Sequence, residues 1–325
     1  MQQIPDPTPG PGDLILRVEA CGICGSDLHM AEAMKDRPGA VFGHEFCGTV
    51  VATGGEVDGY REGDRVVGLP LFGCGHCPAC LAGAVEKCPQ AELTGAQRPG
   101  AYAEYVAVSA AESFAVPQAL SADLGALVEP LAVAHHALER TPREPGEPVL
   151  VLGAGPVGLA VALWARLLGA REVVVSEPAA HRRALAERLG VTAIDPAQQG
   201  VAEAFAAVTG GPAKAVLECV GRPGVIAQAM DLAATDGNVT LVGACMAPDS
   251  FHPLVPTTKE LTLRFVVYYR RRDFIQTLAH LSSGRLDPSA LVTGRVGLDE
   301  LPARFDALLG ENSDCKVLVH PSVGR

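Results

Sequence analysis

Two hydrophobic patterns follow one another along the chain. After a Pro/Gly-rich opening come short apolar runs, "LILRVEA" (residues 14–20), "GTVVAT" (48–53) and "DRVVGL" (64–69), parted by Gly-containing turns. Short runs bounded by turn residues predict an antiparallel β region. Near Ser121 the spacing becomes helical. "SADLGALVEPLAVAHHALERT" (121–141) predicts one helix, with Ser121 as N-cap and Pro142 beyond its end.

From Pro148 onward strand and helix alternate: "PVLVLGAG", "PVGLAVALWARLLGA", "EVVVSE", "AAHRRALAERLG", "AVLECVG", "VIAQAMDLAA" and "GNVTLVGA". Unbroken Val/Leu strands between amphipathic helices predict a parallel, doubly wound sheet. The tail is mixed: strand "ELTLRFVV", helices "RDFIQTLAHLSSG" and "DELPARFDALLG", strand "CKVLVHP". The fold class is therefore α/β with a second, mostly antiparallel domain. The expected partition is 1–125, 126–268 and a return over 269–325.

Composition narrows what this fold serves. The chain has 325 residues and a net charge of -11, and 48% of its residues are hydrophobic. That supports two cores. The acidic balance excludes nucleic acid and anionic membrane as main partners, because both need a basic face. No apolar run reaches membrane-spanning length, and the polar, Pro-rich start is not a signal peptide. A cytoplasmic location is expected. Clustered cysteines then read as metal or catalytic groups rather than disulfides.

"VLVLGAGPVG" places Gly153, Gly155 and Gly158 between a buried strand and a helix. In that context G-x-G-x-x-G is a dinucleotide-binding turn of the Rossmann type, with Pro156 and Val157 opening the helix. Its N–H groups face a pyrophosphate. Glu177 ends the next strand, nineteen residues after Gly158, where an acid accepts from the ribose hydroxyls and repels a 2′-phosphate. NAD is favoured over NADP, although Arg182 and Arg183 lie close enough in sequence to hold a phosphate.

Four of the ten cysteines, Cys74, Cys77, Cys80 and Cys88, fall inside residues 72–90. The spacing C-x2-C-x2-C-x7-C suits a tetrahedral zinc whose four thiolates leave no position open, a site that holds a loop together. Two further stretches, "CGICGSDLH" (21–29) and "GHEFCGTVVATGGEV" (43–57), carry a Cys, a His and carboxylates. Such a set leaves room for substrate on a catalytic zinc, but spacing does not show that Cys24 and His44 meet.

With these motifs in register, the chain resembles the zinc-dependent medium-chain dehydrogenase/reductases, which include alcohol, sorbitol, butanediol and threonine dehydrogenases. "GHEFCGTVVATGGEV" fits that family's zinc signature, and the cysteine lobe and "LGAGPVG" follow in the same order. The resemblance implies a GroES-like catalytic domain beside the Rossmann sheet, and two zinc ions per chain. It implies Cys24, His44 and Glu129 (in "VEPLAVAHHAL") as catalytic-zinc ligands. Glu45 matches a residue that reaches the zinc directly or through water, and Asp27 matches an acid orienting the histidine. Ser26 and His29 match a proton relay to solvent. The Glu129 context favours a secondary alcohol, diol or polyol, oxidised to a ketone by hydride transfer to NAD at the carboxyl end of the parallel sheet.

A homodimer or homotetramer is expected, with "ELTLRFVVYY" as a candidate interface strand. The family places a strand or more ahead of "PDPTPGPGDL", so this chain is expected to be shorter there. Cys21, Cys47, Cys219 and Cys245 are read as buried thiols, and His135 and His136 as helix packing or surface. Two other readings stay open: a non-catalytic NAD-binding protein with only the structural zinc, and a zinc-free enone or quinone reductase.

Overall fold

The computed structural model describes residues 2–34, 39–310 and 312–322. The chain forms two compact units, Met1–Ala132 with Arg270–Arg325, and Val133–Tyr269. The division falls inside the helix Val128–Glu139.

The first unit is built on a seven-stranded sheet. Its strands lie in the order Val292–Val296, Lys316–Val319, Asp13–Gly22, Glu45–Thr53, Arg65–Gly68 and Ser113–Ala115, with Tyr105–Ser109 also paired to Asp13–Gly22. All pairs are antiparallel except Val292–Val296 with Lys316–Val319. Along Asp13–Gly22, Leu14, Leu16 and Val18 face one core with Phe46, Val50, Val66, Val106 and Val108. Of the residues between them Arg17 is exposed, whereas Ile15 is buried on the opposite face. Each fully buried aliphatic side chain contributes about 1.5–3 kcal/mol. The C-terminal strand closes the register that matters for the site: Cys21 pairs with Val319 and Gly22 with Leu318.

The expected helix over 121–141 is two helices, Ala122–Ala126 and Val128–Glu139. Ser121 does cap the first, its Oγ accepting from the Leu124 N–H at 3.3 Å. The break has a local cause in Pro130. Proline has no N–H to give the Ala126 carbonyl, and its ring crowds that carbonyl, so it fits only the first turn of a fresh helix. Glu129 thereby sits in that first turn.

The second unit is a six-stranded parallel sheet in the order Thr192–Ile194, Val173–Ser176, Val149–Leu152, Ala213–Glu218, Ala233–Leu241, Thr262–Phe265. Val149–Leu152 and Val173–Ser176 are buried along their whole length, as strands covered on both faces are. Leu150, Leu152, Val174, Val216 and Val239 share a core with Phe205, Ala229 and Met230. His135 and His136 are buried, and the His135 ring meets Trp164 edge-on at 4.6 Å. Thr262–Phe265 ends the sheet, with Phe265 and nearby Val267 each 70% exposed. Two cysteine expectations need correction. Cys219 and Cys245 are half-buried, because they follow the carboxyl ends of Ala213–Glu218 and Ala233–Leu241, where the loops open. Cys21 and Cys47 are wholly buried.

Candidate functional site

Cys24 precedes the helix Gly25–Ala33, and its backbone N–H donates to Asp27 Oδ2 at 3.1 Å. This contact is the N-terminal half of a capping box, and it turns the Asp27 carboxylate inward, where it is wholly buried. Asp27 Oδ1 faces His44 Nδ1 at 3.1 Å and accepts from the Gly43 N–H at 3.4 Å. Tyr102 Oη donates to Oδ2 at 2.6 Å. Gly43 is needed here: its φ is +97°, and a Cβ would lie 2.7 Å from the Tyr102 ring. Burial alone would raise the Asp27 carboxyl; the facing His44, with the donors on His44, Tyr102 and Cys24, outweighs it and holds the group below its usual value.

With Nδ1 turned to Asp27, the His44 ring has Nε2 left for a metal, the usual arrangement around a ligating imidazole. Ligand atoms of Cys24, His44 and Glu45 all lie within 4.8 Å of one another, and His44 and Glu45 are buried. A soft thiolate, an imidazole and a carboxylate brought this close fit zinc. Glu129 is 8% exposed and does not join this group. Ser26 Oγ donates to Cys24 Sγ at 3.2 Å. His29 is exposed three residues further along the same helix, so the two lie on one side of it.

One side chain the sequence reading passed over stands at this centre. Lys316 Nζ lies 2.7 Å from Glu45 Oε1, 2.6 Å from Oε2 and 3.0 Å from the Ile23 carbonyl. Burial would lower its pKa, but Glu45, Cys24 and Glu129 outweigh that and keep it raised and charged. No motif marks Lys316; the signal available was a lone lysine inside the apolar strand Lys316–Val319. Tyr102 was likewise unmarked.

Cys74, Cys77, Cys80 and Cys88 form the second group within 4.8 Å. Cys77 caps the short helix Pro78–Leu81, its Sγ accepting from the Cys80 N–H at 3.4 Å. The Cys88 sulfur accepts from the N–H groups of Cys74 and Gln90, each at 3.4 Å. The His76 N–H first, with the Cys77 N–H and the neighbouring thiols, pulls the Cys74 thiol down to about 6, while at Cys80 the Gly75 N–H is outweighed by desolvation and the other three sulfurs, which push that thiol up to about 12. Sulfurs held by backbone donors in one small volume fit a closed zinc site.

In the second unit, Gly153 has φ +94° and turns the chain from strand to helix. A Cβ on Gly158 would collide with the Gly153 carbonyl, whereas one on Gly155 would meet nothing within 4 Å. Gly158 is thus a packing glycine, and Gly155 faces open space where a phosphate can approach the backbone. Pro156 begins the helix Pro156–Leu167, and Val157 follows it. Glu177 is buried. Its Oε2 accepts from the Ala154 N–H at 2.8 Å and its Oε1 from the Ala179 N–H at 2.9 Å. Arg183 is committed locally, to the carbonyls of Glu177 and Pro178 and to Asp195 Oδ2 at 2.7 Å. Arg182 is half-buried.

Residues 10–118 match the family described as alcohol dehydrogenase GroES-like domain, and residues 156–283 match zinc-binding dehydrogenase. The chain is 32% identical to L-threonine 3-dehydrogenase of Klebsiella pneumoniae, over 98% of this chain and 95% of that protein. It is 34% identical to (R,R)-butanediol dehydrogenase of Bacillus subtilis, over 99% and 96%. A Sinorhizobium meliloti structure described as a zinc-binding dehydrogenase bound to NADP superposes with a TM-score of 0.89 at 34% identity, covering 98% of this chain and 94% of that one. The chain belongs to the zinc-dependent medium-chain dehydrogenase/reductase family. It is an oxidoreductase acting on CH–OH groups, with a GroES-like domain and a Rossmann-like parallel sheet. Among the described residues no helix is long and apolar enough to cross a membrane.

Proposed function

We propose that the protein oxidises a secondary alcohol, diol or polyol to a ketone with NAD, using a catalytic zinc held by Cys24, His44 and Glu129 and a structural zinc held by Cys74, Cys77, Cys80 and Cys88. The observation that carries this reading is the gathering of half-buried Cys24 with buried His44 and Glu45, their ligand atoms within 4.8 Å of one another, with His44 fixed through Asp27. When bound, zinc supplies Lewis acidity toward the substrate oxygen, and the nicotinamide supplies the place for the hydride.

The chain's own residues do the rest. Asp27 fixes the His44 ring and favours the Nδ1–H tautomer, so that Nε2 carries the lone pair. Ser26 takes the alcohol proton and His29, exposed on the same helix, passes it to water. For that step the Ser26 hydroxyl must turn from the Cys24 sulfur on which it now rests. Gly153, Gly155 and Gly158 with Pro156 and Val157 hold the pyrophosphate, and Glu177 receives the adenosine ribose. Its burial argues against a 2′-phosphate beside it, because two negative groups cannot share a desolvated place. Arg183, spent on Asp195, is a poor counter-charge for such a phosphate. Arg182 borders the ribose position.

The relatives' printed activities, on threonine and butanediol, support a substrate with a neighbouring polar group. The open edge Thr262–Phe265, with its exposed Phe265, supports a homodimer or homotetramer through "ELTLRFVVYY". A cytoplasmic site of action follows from the same reading. The test is elemental analysis of the purified protein with a panel of secondary alcohols, diols and polyols, each assayed with NAD and with NADP. Two zinc ions per chain and NAD-linked turnover support the reading. One zinc, or turnover only with NADP, contradicts the corresponding part.

A further inference from the structure

The strand Ala213–Glu218 ends on a buried carboxylate. Glu218 Oε1 accepts from the Val220 N–H at 2.6 Å and from the Gly221 N–H at 2.8 Å. Its carbonyl accepts from the Val242 and Gly243 N–H groups at 2.8 and 2.9 Å. One residue thus joins the loop after Ala213–Glu218 to the loop after Ala233–Leu241. The fit between these loops is close. A Cβ on Gly221 would lie 2.7 Å from the Ala244 nitrogen, and one on Gly243 would collide with the Gly221 nitrogen. Burying a carboxylate is costly unless it is hydrogen-bonded, so the two amides hold Glu218 as firmly as it holds them.

The loop held by Glu218 lies against the dinucleotide turn. The Cys219 N–H donates to the Leu152 carbonyl at 3.0 Å, and a Cβ on Gly153 would lie 2.9 Å from Val220 Cγ2. Val220 is nevertheless 40% exposed, so part of its side chain stays free beside the turn. Sheet order decides which half of a dinucleotide meets it. Val173–Ser176, which leads into Glu177, flanks Val149–Leu152 on one side, and Ala213–Glu218 flanks it on the other. A dinucleotide with its pyrophosphate at the Gly turn and its adenosine ribose at Glu177 extends its nicotinamide half toward Val220. We propose that Glu218 is a positioning residue: by holding the Val220 and Gly221 amides, it keeps the Val220 side chain in place as a wall for the nicotinamide half of the cofactor. The proposal rests on the dinucleotide reading above and adds to it the group that shapes the far side of that site.

The experiment uses the full chain and two ligands, NADH and ADP-ribose, the second being the same molecule without its nicotinamide. Wild type is compared with Glu218→Ala, Glu218→Gln and Val220→Ala by calorimetric titration. The emission of bound NADH and the melting temperature are recorded for each. Glu218→Ala leaves two amides without their acceptor, so NADH affinity should fall about tenfold or more while ADP-ribose affinity stays within about twofold. The emission of bound NADH should shift toward that of the free cofactor. Glu218→Gln keeps an oxygen acceptor for both amides and should return NADH affinity to within about threefold of wild type. Val220→Ala, which trims the wall itself, should weaken NADH about fivefold and leave ADP-ribose unchanged.

A Glu218→Ala protein that keeps wild-type NADH affinity overturns the proposal. So does one that loses NADH and ADP-ribose alike with a lowered melting temperature, since Glu218 would then only support the fold. A Glu218→Gln protein that behaves like Glu218→Ala also overturns it, because charge and not the hold on the amides would be what counts. Unchanged NADH affinity in Val220→Ala does the same. Should Glu218→Ala fail to fold, Glu218→Asp takes its place, keeping the carboxylate but drawing it back from the two amides. The same selective loss of NADH is expected, and unchanged or unselective binding overturns the proposal. Failure of the dinucleotide reading is distinct from all of these, because the wild-type protein would then bind neither ligand.

Discussion

Tyr102 donates its hydroxyl to Asp27 across 2.6 Å, and the same carboxylate faces His44 at 3.1 Å. Three residues from three separate segments thus form one buried chain, whose far end presents an imidazole nitrogen to the proposed metal position. The chain matters because His44 alone, on a ring free to rotate, would be a poorly aimed ligand. Tyr102→Phe removes a hydrogen bond to a charged acceptor and should cost about 1.5–3 kcal/mol of stability. Asp27→Asn should weaken metal binding at Cys24/His44 by roughly 10–100-fold. Urea unfolding and chelator competition measure the two, and an Asp27→Asn protein with wild-type metal affinity would remove Asp27 from the site.

Two of the three glycines of the dinucleotide turn, Gly155 and Gly158, should fail differently. Gly155→Val projects into open space, so the fold should survive while NAD binding falls at least about tenfold, as the backbone can no longer approach a phosphate. Gly158→Ala meets the Gly153 carbonyl and should lower the melting temperature as well. Calorimetry of unfolding beside NADH fluorescence titration separates the two. A Gly155→Val protein that binds NADH normally would place the cofactor elsewhere.

Glu177 bonds the Ala154 and Ala179 amides, and in the proposed function it also meets the ribose. Glu177→Gln keeps an acceptor but removes the charge. NAD affinity should fall severalfold, and the preference for NAD over NADP should shrink about tenfold, the worth of about 1.4 kcal/mol. Steady-state kcat/KM with both cofactors gives the ratio. An unchanged ratio would mean that Glu177 does not set the preference.

The two cysteine sets should part company under mutation. Cys74→Ser should remove one zinc per chain and lower the melting temperature, because the lobe over residues 72–90 has few buried apolar side chains, Phe72 and Val85 among them, to hold it without metal. Cys24→Ser should also remove one zinc, abolish turnover and leave the melting temperature close to wild type. Zinc content and thermal unfolding on both variants suffice. Equal destabilisation by the two would argue that the Cys24 site also holds the fold together and is not purely catalytic.

The elements that could be read in advance are those whose cause is local. Val149–Leu152, its Gly turn and the helix Pro156–Leu167 need only a hydrophobic run, a residue free to take positive φ and a proline at a helix start. The cysteine lobe closes through short turns within fifteen residues, so spacing predicts it. The break at Leu127 was also local, but propensity averaged over the window hid the effect of Pro130.

The sequence by itself determined that the chain holds an α/β nucleotide sheet, a four-thiolate lobe and ligand types suited to zinc. Only the tertiary structure decided that Tyr102 would anchor Asp27, that Glu45 would lie beside Cys24 and His44, and that Lys316 would clamp Glu45. The last two groups stand 271 residues apart and touch because Lys316–Val319 pairs with the carboxyl end of Asp13–Gly22. A strand's register is set by the whole sheet and its core. A contact made through register therefore leaves no mark in the local sequence of either partner.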